Sequence, residues 1–103
     1  MELIVAIVER GKGNGVAKAA AEAGAGGATI YPARGAGEHT VSFFGSLKVD
    51  PGKEVVWILT DDNKVDAIFE AVSIAAQTDK KGRGFAFTVP VRRVAGLDKN
   101  KDD

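Results

Sequence analysis

The fold of this 103-residue chain is decided by two continuous apolar segments, LIVAIV at residues 3–8 and VVWIL at residues 55–59. Neither segment shows the polar alternation of a strand with one wet face, and both are rich in β-branched residues. A strand that is apolar on both sides is typical of the middle of a sheet that is covered on both faces. The two segments therefore predict a central pair of strands.

Two helices are predicted around these strands. Residues 16–23 are mostly alanine and valine, with the helix ending at Gly24. Residues 61–62 are carboxylates that precede apolar residues at helical spacing, which predicts a second helix running to about Gln77. Ile74 lies opposite the apolar stripe of that helix, so it is either simply exposed or in contact with another chain.

Residues 28–33 and 85–89 predict the remaining two strands. The resulting order, β-α-β-β-α-β, is that of a ferredoxin-like α+β fold with a four-stranded antiparallel sheet in which the first and third strands are central. The chain length allows one domain, which we assign to residues 1–97, followed by a flexible tail at residues 98–103.

The far face of the sheet is expected to need a cover. In this topology the helices cover only one face, whereas both central strands are apolar on both sides. Since no further element remains in the chain, another copy of the chain is the simplest cover, and we predict a closed homo-oligomer. The alternative is a monomer in which the far-face side chains are partly exposed.

Composition excludes several classes of function. Lysine and arginine total 14 and aspartate and glutamate total 14, so no net charge attracts the chain to nucleic acid or anionic lipid. The absence of cysteine excludes disulfides, thiolate zinc sites and cysteine nucleophiles, and favours a cytoplasmic location. No segment approaches the ~20 apolar residues of a membrane span, so no membrane insertion is expected.

Residues 35–52 form a long irregular segment around Val41, Phe43 and Phe44, and segments of this kind are often functional. Within it, Glu38, His39 and Asp50 are weak candidates for a metal site, since solvated polar residues are the default interpretation. His39 is the only histidine. A histidine-dependent catalytic relay is therefore not expected, and we predict no enzyme activity.

Two glycine tripeptides are candidate phosphate cradles: Gly35-Ala36-Gly37 and Gly82-Arg83-Gly84. Glycine lets backbone N–H groups converge on an anion, and an arginine fork binds two phosphate oxygens. The alternative for each is a turn or a bulge at a strand edge.

Other nucleotide and nucleic-acid motifs are missing. Residues 11–15 lack the P-loop pattern, and the sheet aromatics Tyr31, Trp57, Phe85 and Phe87 do not form the RNA-binding motif of such sheets.

Four segments together resemble the PII signal-transduction proteins, the nitrogen regulatory family, in order and spacing. They are residues 3–7, residues 27–30, residues 35–37, and Ala76-Gln77-Thr78 followed by Lys80, Gly82 and Gly84. The resemblance implies a homotrimer of ferredoxin-like subunits with an adenine nucleotide in each cleft between neighbours. The family's T-loop corresponds to residues 36–52 and its B-loop to residues 78–84.

The resemblance also implies site residues. Thr29 corresponds to the adenine contact, the Gly35 corner shapes the base of the T-loop, and the B-loop backbone faces phosphate. The nucleotide-binding set implied in this way is Thr29, Gly35, Ala36, Gly37, Thr78, Gly82, Arg83, Gly84 and Arg92.

The chain departs from the family pattern in ways that imply a divergent branch with a short T-loop. The family's Gly-Asp-Gly-Lys is Gly82-Arg83-Gly84-Phe85 here, so Arg83 replaces an acidic residue and the phosphate-binding lysine is absent. The only tyrosine, Tyr31, lies in a strand, which excludes uridylylation of the T-loop. His39 stands where the family uses a glutamine, so magnesium and 2-oxoglutarate binding are left open.

The resemblance implies a regulatory protein that senses ATP, ADP or AMP and controls a membrane transporter or metabolic enzyme. Val41, Phe43 and Phe44 are the expected partner contacts. One alternative is a trimer of the same fold that binds a small anion or a metal without sensing nucleotides. A small enzyme of the acylphosphatase type ranks last, because no arginine-plus-asparagine site accompanies the first strand.

Overall fold

The structure, a computed structural model, describes residues 1–35 and 52–97. Its elements are β1 (Glu2–Glu9), α1 (Gly13–Glu22), β2 (Thr29–Ala33), β3 (Lys53–Thr60), α2 (Val65–Ala75) and β4 (Gly84–Pro90). This order is the predicted β-α-β-β-α-β. The predicted segment at residues 36–51 and the tail at residues 98–103 lie outside the described residues.

The four strands form one antiparallel sheet in the order β2-β3-β1-β4. The β1–β3 ladder runs from Glu2 opposite Thr60 to Glu9 opposite Lys53. Strand β4 pairs with the other edge of β1, and β2 pairs with the other edge of β3. The two continuous apolar segments are therefore the central strands, as predicted, and the ferredoxin-like α+β fold is confirmed.

The hydrophobic core lies between the helices and one face of the sheet. Alternate residues of β1 and β3 point into it, and α1 and α2 contribute their apolar stripes. Its fully buried side chains are Ile4, Val8, Val16, Val56, Ile58, Ile68 and Val72. Burial of each of these aliphatic side chains stabilises the fold by about 1.5–3 kcal/mol.

Neither helix of residues 1–35 and 52–97 packs on the opposite face. We call it the uncovered face, and its apolar residues by register are Leu3, Val5, Ile7, Tyr31, Val55, Trp57, Leu59, Phe85, Phe87 and Val89. Val5 and Val55 are buried among their neighbours, whereas the aromatic side chains are 38% to 55% exposed. An apolar surface this continuous is uncommon on a monomer.

Helix α1 begins three residues before the predicted start. The sequence predicts this helix over residues 16–23, whereas Gly13 is the first helical residue and is buried. Its N–H donates to the Glu54 carboxylate of β3 at 2.8 Å. A Cβ on Gly13 would lie 2.6 Å from that same oxygen, so only glycine admits the carboxylate to the helix N-terminus. The prediction was wrong because this contact joins residues 41 positions apart.

Helix α2 is shorter than predicted at both ends. It begins at Val65, after a turn in which the Lys64 N–H donates to the Asp61 carbonyl, and it ends at Ala75. Gln77, the predicted last residue, has φ +56 and lies outside the helix. Ile74 is 70% exposed on the outer side of α2. The apolar periodicity located α2, but the turns at its ends decided its length.

Both helices end in the same motif. In α1 the Gly24 N–H donates to Ala21 and the Ala25 N–H to Ala20, with Gly24 at φ +117. This is the Schellman pattern, in which two N–H groups beyond the helix bond back to its last turn. In α2 the residue with positive φ is Gln77, so the same ending there lacks the glycine that normally occupies it.

Candidate functional site

The predicted site residues fall at two opposite ends of the sheet. Ala33 lies opposite Lys53, Lys53 opposite Glu9, and Gly84 opposite Val8. We call this the glycine end, because the Gly35 corner and residues 82–84 adjoin it. Thr29, Thr60 and Pro90 mark the other end, which we call the pocket end.

The two glycine corners share one end of the sheet but occupy opposite edges. Gly35 follows β2 and Gly84 begins β4, and these are the outermost strands. With strands about 4.8 Å apart, three spacings separate the corners by roughly 14 Å. The fold of one chain therefore does not bring them together. Ala36 and Gly37 lie outside the described residues.

Residues 77–83 form two consecutive turns. The Lys80 N–H donates to the Gln77 carbonyl at 2.9 Å, and the Arg83 N–H donates to the Lys80 carbonyl at 3.2 Å. Gly82 has φ +80, a backbone conformation that glycine adopts without strain. Because the Arg83 N–H already has an acceptor within the loop, the guanidinium is the group of this residue that is positioned for an anion.

Gly84 has a packing role that the sequence did not reveal. A Cβ at this position would lie 2.7 Å from the Ala76 carbonyl oxygen and 3.1 Å from that of Ile7. Both are backbone atoms that cannot move independently of α2 and β1. Glycine is thus needed where β4 begins beneath the end of α2, whether or not an anion binds beside it.

Thr78 also has a structural contact. Its N–H donates to the Ser73 carbonyl at 3.2 Å, and its hydroxyl donates to the same oxygen at 3.3 Å. The residue completes the ending of α2 immediately after Gln77. Its predicted contact with a nucleotide would require the hydroxyl to turn away from Ser73 or to accept a second hydrogen bond.

The guanidinium of Arg83 faces a carboxylate. Arg83 Nη1 lies 3.7 Å from Glu9 Oε1, and the two side chains are 49% and 39% exposed. A half-exposed pair at this distance contributes little to stability. The arginine therefore keeps enough solvent access to bind another anion.

A cavity of about 700 Å³ opens at the pocket end. Residues 24–28 form one wall, and the sheet supplies Leu3, Trp57 and Leu59. Thr29 is the one predicted site residue in its lining. An apolar wall with a few polar groups at its rim suits a planar ring that carries hydrogen-bonding edges.

The polar groups of this cavity were not predicted as site residues. They are Thr60, Asp61 and Lys64, which line the cavity and bring a hydroxyl, a carboxylate and an ammonium group to this end of the sheet. Leu97, near the end of the described chain, closes another side. The glycine-rich stretch at residues 24–27 is the sequence feature that could have indicated this cavity, because glycines leave one wall without side chains.

Arg92 also belongs to the pocket end. The Val91 N–H donates to the Met1 carbonyl at 3.0 Å, which holds the chain beyond β4 against the start of β1. The Met1 amine in turn lies 2.7 Å from Asp62 Oδ1. Arg92 follows Val91 and is exposed, so this contact places it at the opposite end of the sheet from Arg83.

Aromatic residues occupy the uncovered face in two pairs. The rings of Tyr31 and Trp57 meet edge to face with centroids 5.9 Å apart, and Phe85 stacks near Phe87 at 6.2 Å. These four aromatic residues, which do not form the RNA-binding motif, therefore all lie on this face. Strand β1 contributes only aliphatic residues to it. The face resembles a protein core more closely than a nucleic-acid platform.

Several predicted residues lie outside the described residues: Val41, Phe43 and Phe44 of the partner contact, and Glu38, His39 and Asp50 of the weak metal alternative. Across residues 1–35 and 52–97 there is no cluster of three metal-ligating side chains. In the same two ranges, neither helix has the length and apolar character needed to cross a bilayer.

Comparison with known proteins agrees with this fold. The profile of the family described as Nitrogen regulatory protein P-II matches residues 1–101. A nitrogen regulatory protein P-II of Nostoc punctiforme is 33% identical over 106 residues, covering 91% of this chain and 88% of the relative. One from Microchaete diplosiphon is 32% identical over 109 residues, covering 94% and 91%. The chain belongs to the nitrogen regulatory protein P-II family.

Proposed function

We propose that this protein is a cytoplasmic regulatory protein without catalytic turnover, which binds ATP, ADP or AMP at clefts between the subunits of a homotrimer. One observation carries the proposal. The predicted ligand residues lie at two ends and two edges of the sheet, so a single chain cannot assemble them around one nucleotide. A second chain can complete the site by placing its own edge against the first.

The distance between Thr29 and Gly35 along β2 supports a site that is divided between subunits. Thr29 and Gly35 are six residues apart on one side of the sheet. At about 3.3 Å per residue of extended chain they are roughly 20 Å apart. Residues so far apart belong to one compact pocket only if each comes from a different subunit. The family resemblance implies that Thr29 contacts adenine and that the Gly35 corner shapes the base of the T-loop.

The cavity at the pocket end supplies the half-site for the base. Its apolar wall offers Trp57 and Leu59 to a ring, and Thr29 and nearby backbone groups offer hydrogen-bond partners at the rim. A base held in this way is selected by shape and by its polar edge. The Lys64 ammonium at the rim adds attraction for a phosphate-bearing ligand.

The glycine end supplies the half-site for the phosphates. Gly35 of one chain and Gly82 of the neighbouring chain would leave the backbone accessible, and Arg83 of the neighbouring chain would provide a planar fork for two phosphate oxygens. Since the Arg83 N–H already donates to Lys80, the side chain replaces the backbone contact that the family resemblance implied. The absent lysine makes Arg83 the principal cation of this corner.

The uncovered face supports the trimer. Its side chains continue from β2 across to β4 without a charged residue between the apolar rows. Packing three such faces together would remove the half-exposed aromatics from water, at about 25 cal/mol for each Å² of apolar area buried. The same packing would place the edge strand β2 of one chain near β4 of the next.

Residues 36–51 connect the ligand corner to the partner. The segment leaves from Gly35 and returns at Gly52, whose carbonyl accepts the Arg10 N–H at 3.3 Å. A ligand that contacts Gly35 would therefore bias a segment whose far end is already held. Val41, Phe43 and Phe44 on that segment are the proposed contacts with a membrane transporter or metabolic enzyme, which the ligand would expose or withhold.

The test uses the purified full chain. Light scattering after size exclusion should give three times the chain mass, and calorimetry should show saturable binding of at least one of ATP, ADP and AMP. A monomer, or no heat with any of the three at millimolar concentration, contradicts the proposal. Binding of inorganic phosphate or a divalent cation without any nucleotide would instead favour the small-anion or metal alternative.

Arg83→Ala tests the phosphate half-site directly. Loss of a charge-assisted fork should weaken nucleotide binding about tenfold while leaving binding of adenosine unchanged. Arg93→Ala is the matched control, because Arg93 is an exposed arginine outside the predicted nucleotide-binding set, and it should leave nucleotide affinity unchanged. Equal nucleotide affinity in wild type and Arg83→Ala would remove Arg83 from the site.

A further inference from the structure

We propose that Glu9 limits how much negative charge the glycine end accepts, so that it sets the preference of the site between mono-, di- and triphosphates. This inference rests on the proposed function, because it concerns the same anion corner. Its basis is the contact between the Glu9 carboxylate and the Arg83 guanidinium, 3.7 Å apart. The group that would attract phosphate already has a competing anion beside it.

The position of Glu9 follows from the strand register. Glu9 is the last residue of β1, and Lys53 lies opposite it on β3. Arg83 lies immediately before Gly84, the residue opposite Val8. Along this end of the sheet the charges therefore alternate as Lys53, Glu9 and Arg83. The carboxylate is the central member of the row, within reach of any ligand that bridges the two cations.

Alternation of side chains also places these charges on one side of the sheet. Glu9 follows Leu3, Val5 and Ile7 in the set that points to the uncovered face. The row therefore borders the apolar surface that a neighbouring chain would cover. A charge at such a border is less well hydrated than one in open water, so its repulsion of a second anion is stronger.

The physical consequence depends on ligand charge. A phosphate bound to Arg83 must either displace the Glu9 carboxylate or bind beside it. Repulsion from Glu9 grows with each added negative charge on the ligand. Compared with a corner without this carboxylate, the site thus discriminates against triphosphates most, against monophosphates least, and not against an uncharged nucleoside.

Glu9 is suitable for a clean substitution. Its backbone carbonyl accepts the Lys12 N–H at 3.0 Å, and a glutamine keeps that bond and the length of the side chain. The side chain is 39% exposed, and its weak ion pair contributes little to folding. Glu9→Gln therefore removes the charge without removing the packing.

The experiment measures calorimetric affinities of ATP, ADP, AMP and adenosine at one ionic strength for wild type and Glu9→Gln. Glu2→Gln is the matched control, since it makes the same charge change at the other end of β1. We expect Glu9→Gln to raise ATP affinity about two- to tenfold, ADP affinity less and AMP affinity least, with adenosine unchanged. Glu2→Gln should leave the order and the values as in wild type.

A second comparison tests whether Glu9 acts through the anion corner. The increase in nucleotide affinity caused by Glu9→Gln is measured again in an Arg83→Gln background. If the carboxylate repels phosphate directly, the increase should persist and grow with ligand charge. If the carboxylate acts mainly by occupying Arg83, the increase should shrink. A change in affinity that is the same for ATP, ADP, AMP and adenosine in this background contradicts the proposal, because only a structural role of Glu9 would be independent of ligand charge. Should Glu9→Gln fail to fold, Glu9→Thr provides the same charge change with a residue suited to strands.

The outcomes separate this inference from the proposed function. If wild type binds a nucleotide and Glu9→Gln binds ATP, ADP and AMP with the same affinities, the inference fails and the proposed function stands. Weaker binding in Glu9→Gln overturns the inference too, since the carboxylate would then position Arg83. If neither protein binds any nucleotide, both fail. ATP binding by Glu9→Gln but not by wild type supports the inference most strongly.

Discussion

Trp57 and Ile58 are neighbours in β3, yet they belong to opposite sides of the sheet. Ile58 is fully buried beneath the helices, whereas Trp57 on the uncovered face is 44% exposed. Both are large apolar side chains in the same continuous segment, so the sequence does not distinguish them. The difference shows that the two sides of one strand have different surroundings, since the helices cover only one of them.

The edge strand β4 shows the same contrast more sharply. Phe85, Phe87 and Val89 point to the uncovered face, while Ala86 faces the helices. The bulkier side of this strand therefore points away from the core of its own chain. An amphipathic strand is usually placed with its larger apolar residues inward. Within residues 1–35 and 52–97 these larger side chains are 40% to 55% exposed, so β4 of the single chain departs from that rule.

The largest expected effect is on the covered face. Ile58→Ala removes fully buried methylene and methyl groups and should lower the free energy of unfolding by about 2–5 kcal/mol. Trp57→Ala is the control on the adjacent residue. Urea denaturation across a range of protein concentrations should show a loss for Ile58→Ala at every concentration, and a concentration-dependent loss for Trp57→Ala. A concentration-independent loss in both would contradict the division between faces.

The uncovered face can be tested with a charge. Phe87→Glu places a carboxylate on the proposed trimer surface, where burial of an unpaired charge is strongly unfavourable. We expect dissociation to a monomer that retains the far-ultraviolet circular dichroism of the folded chain. Ala67→Glu on the exposed side of α2 should change neither property. A trimer that persists in Phe87→Glu would show that this face is not the one covered.

Gly84 lies at the start of β4, in close contact with the end of α2 and with β1. Gly84→Ala would force a Cβ against the Ala76 carbonyl, and we expect it to lower the free energy of unfolding by about 1–3 kcal/mol. Gly15→Ala, where a Cβ meets nothing within 4 Å inside α1, should instead raise it by about 0.5–1 kcal/mol. Unchanged thermal stability in Gly84→Ala would mean that the close approach to α2 relaxes without cost.

The smallest effect concerns the end of α2. Gln77→Gly replaces a residue at φ +56 with one that adopts this conformation freely, so stability should rise by about 0.5–1 kcal/mol. Gly24→Ala, at the equivalent position of α1, should lower stability by a similar amount. Thermal melts of the two variants measure both signs. A lower melting temperature for Gln77→Gly would indicate that a contact of the glutamine side chain stabilises the protein by more than the backbone strain at this residue destabilises it.

Some features could be predicted from sequence because local patterns carry them. The uninterrupted apolar segments indicated central strands, and helical spacing located α2. The start of α1 could not be predicted, because the carboxylate that receives the Gly13 N–H comes from β3. Likewise, the packing role of Gly84 depends on a carbonyl of α2, and no local pattern distinguishes such a glycine from a phosphate cradle.

The candidate site was predicted only as a set of residues. The resemblance identified Thr29, Gly35 and Arg83, but it did not show that they lie at different ends of one sheet. Trp57, Leu59 and Lys64 were not predicted at all as part of the pocket, since they come from two separate elements. The pairing of Arg83 with Glu9 required the β1–β4 register.

The amino-acid sequence by itself determined the succession of strands and helices and the central position of β1 and β3. These features follow from hydrophobic patterns that involve only a few neighbouring residues. Tertiary structure decided which apolar residues became core, where the helices begin and end, and which charges meet at the glycine end. Those outcomes depend on side chains that are distant in sequence and are brought together only by strand pairing and by packing of the helices on the sheet.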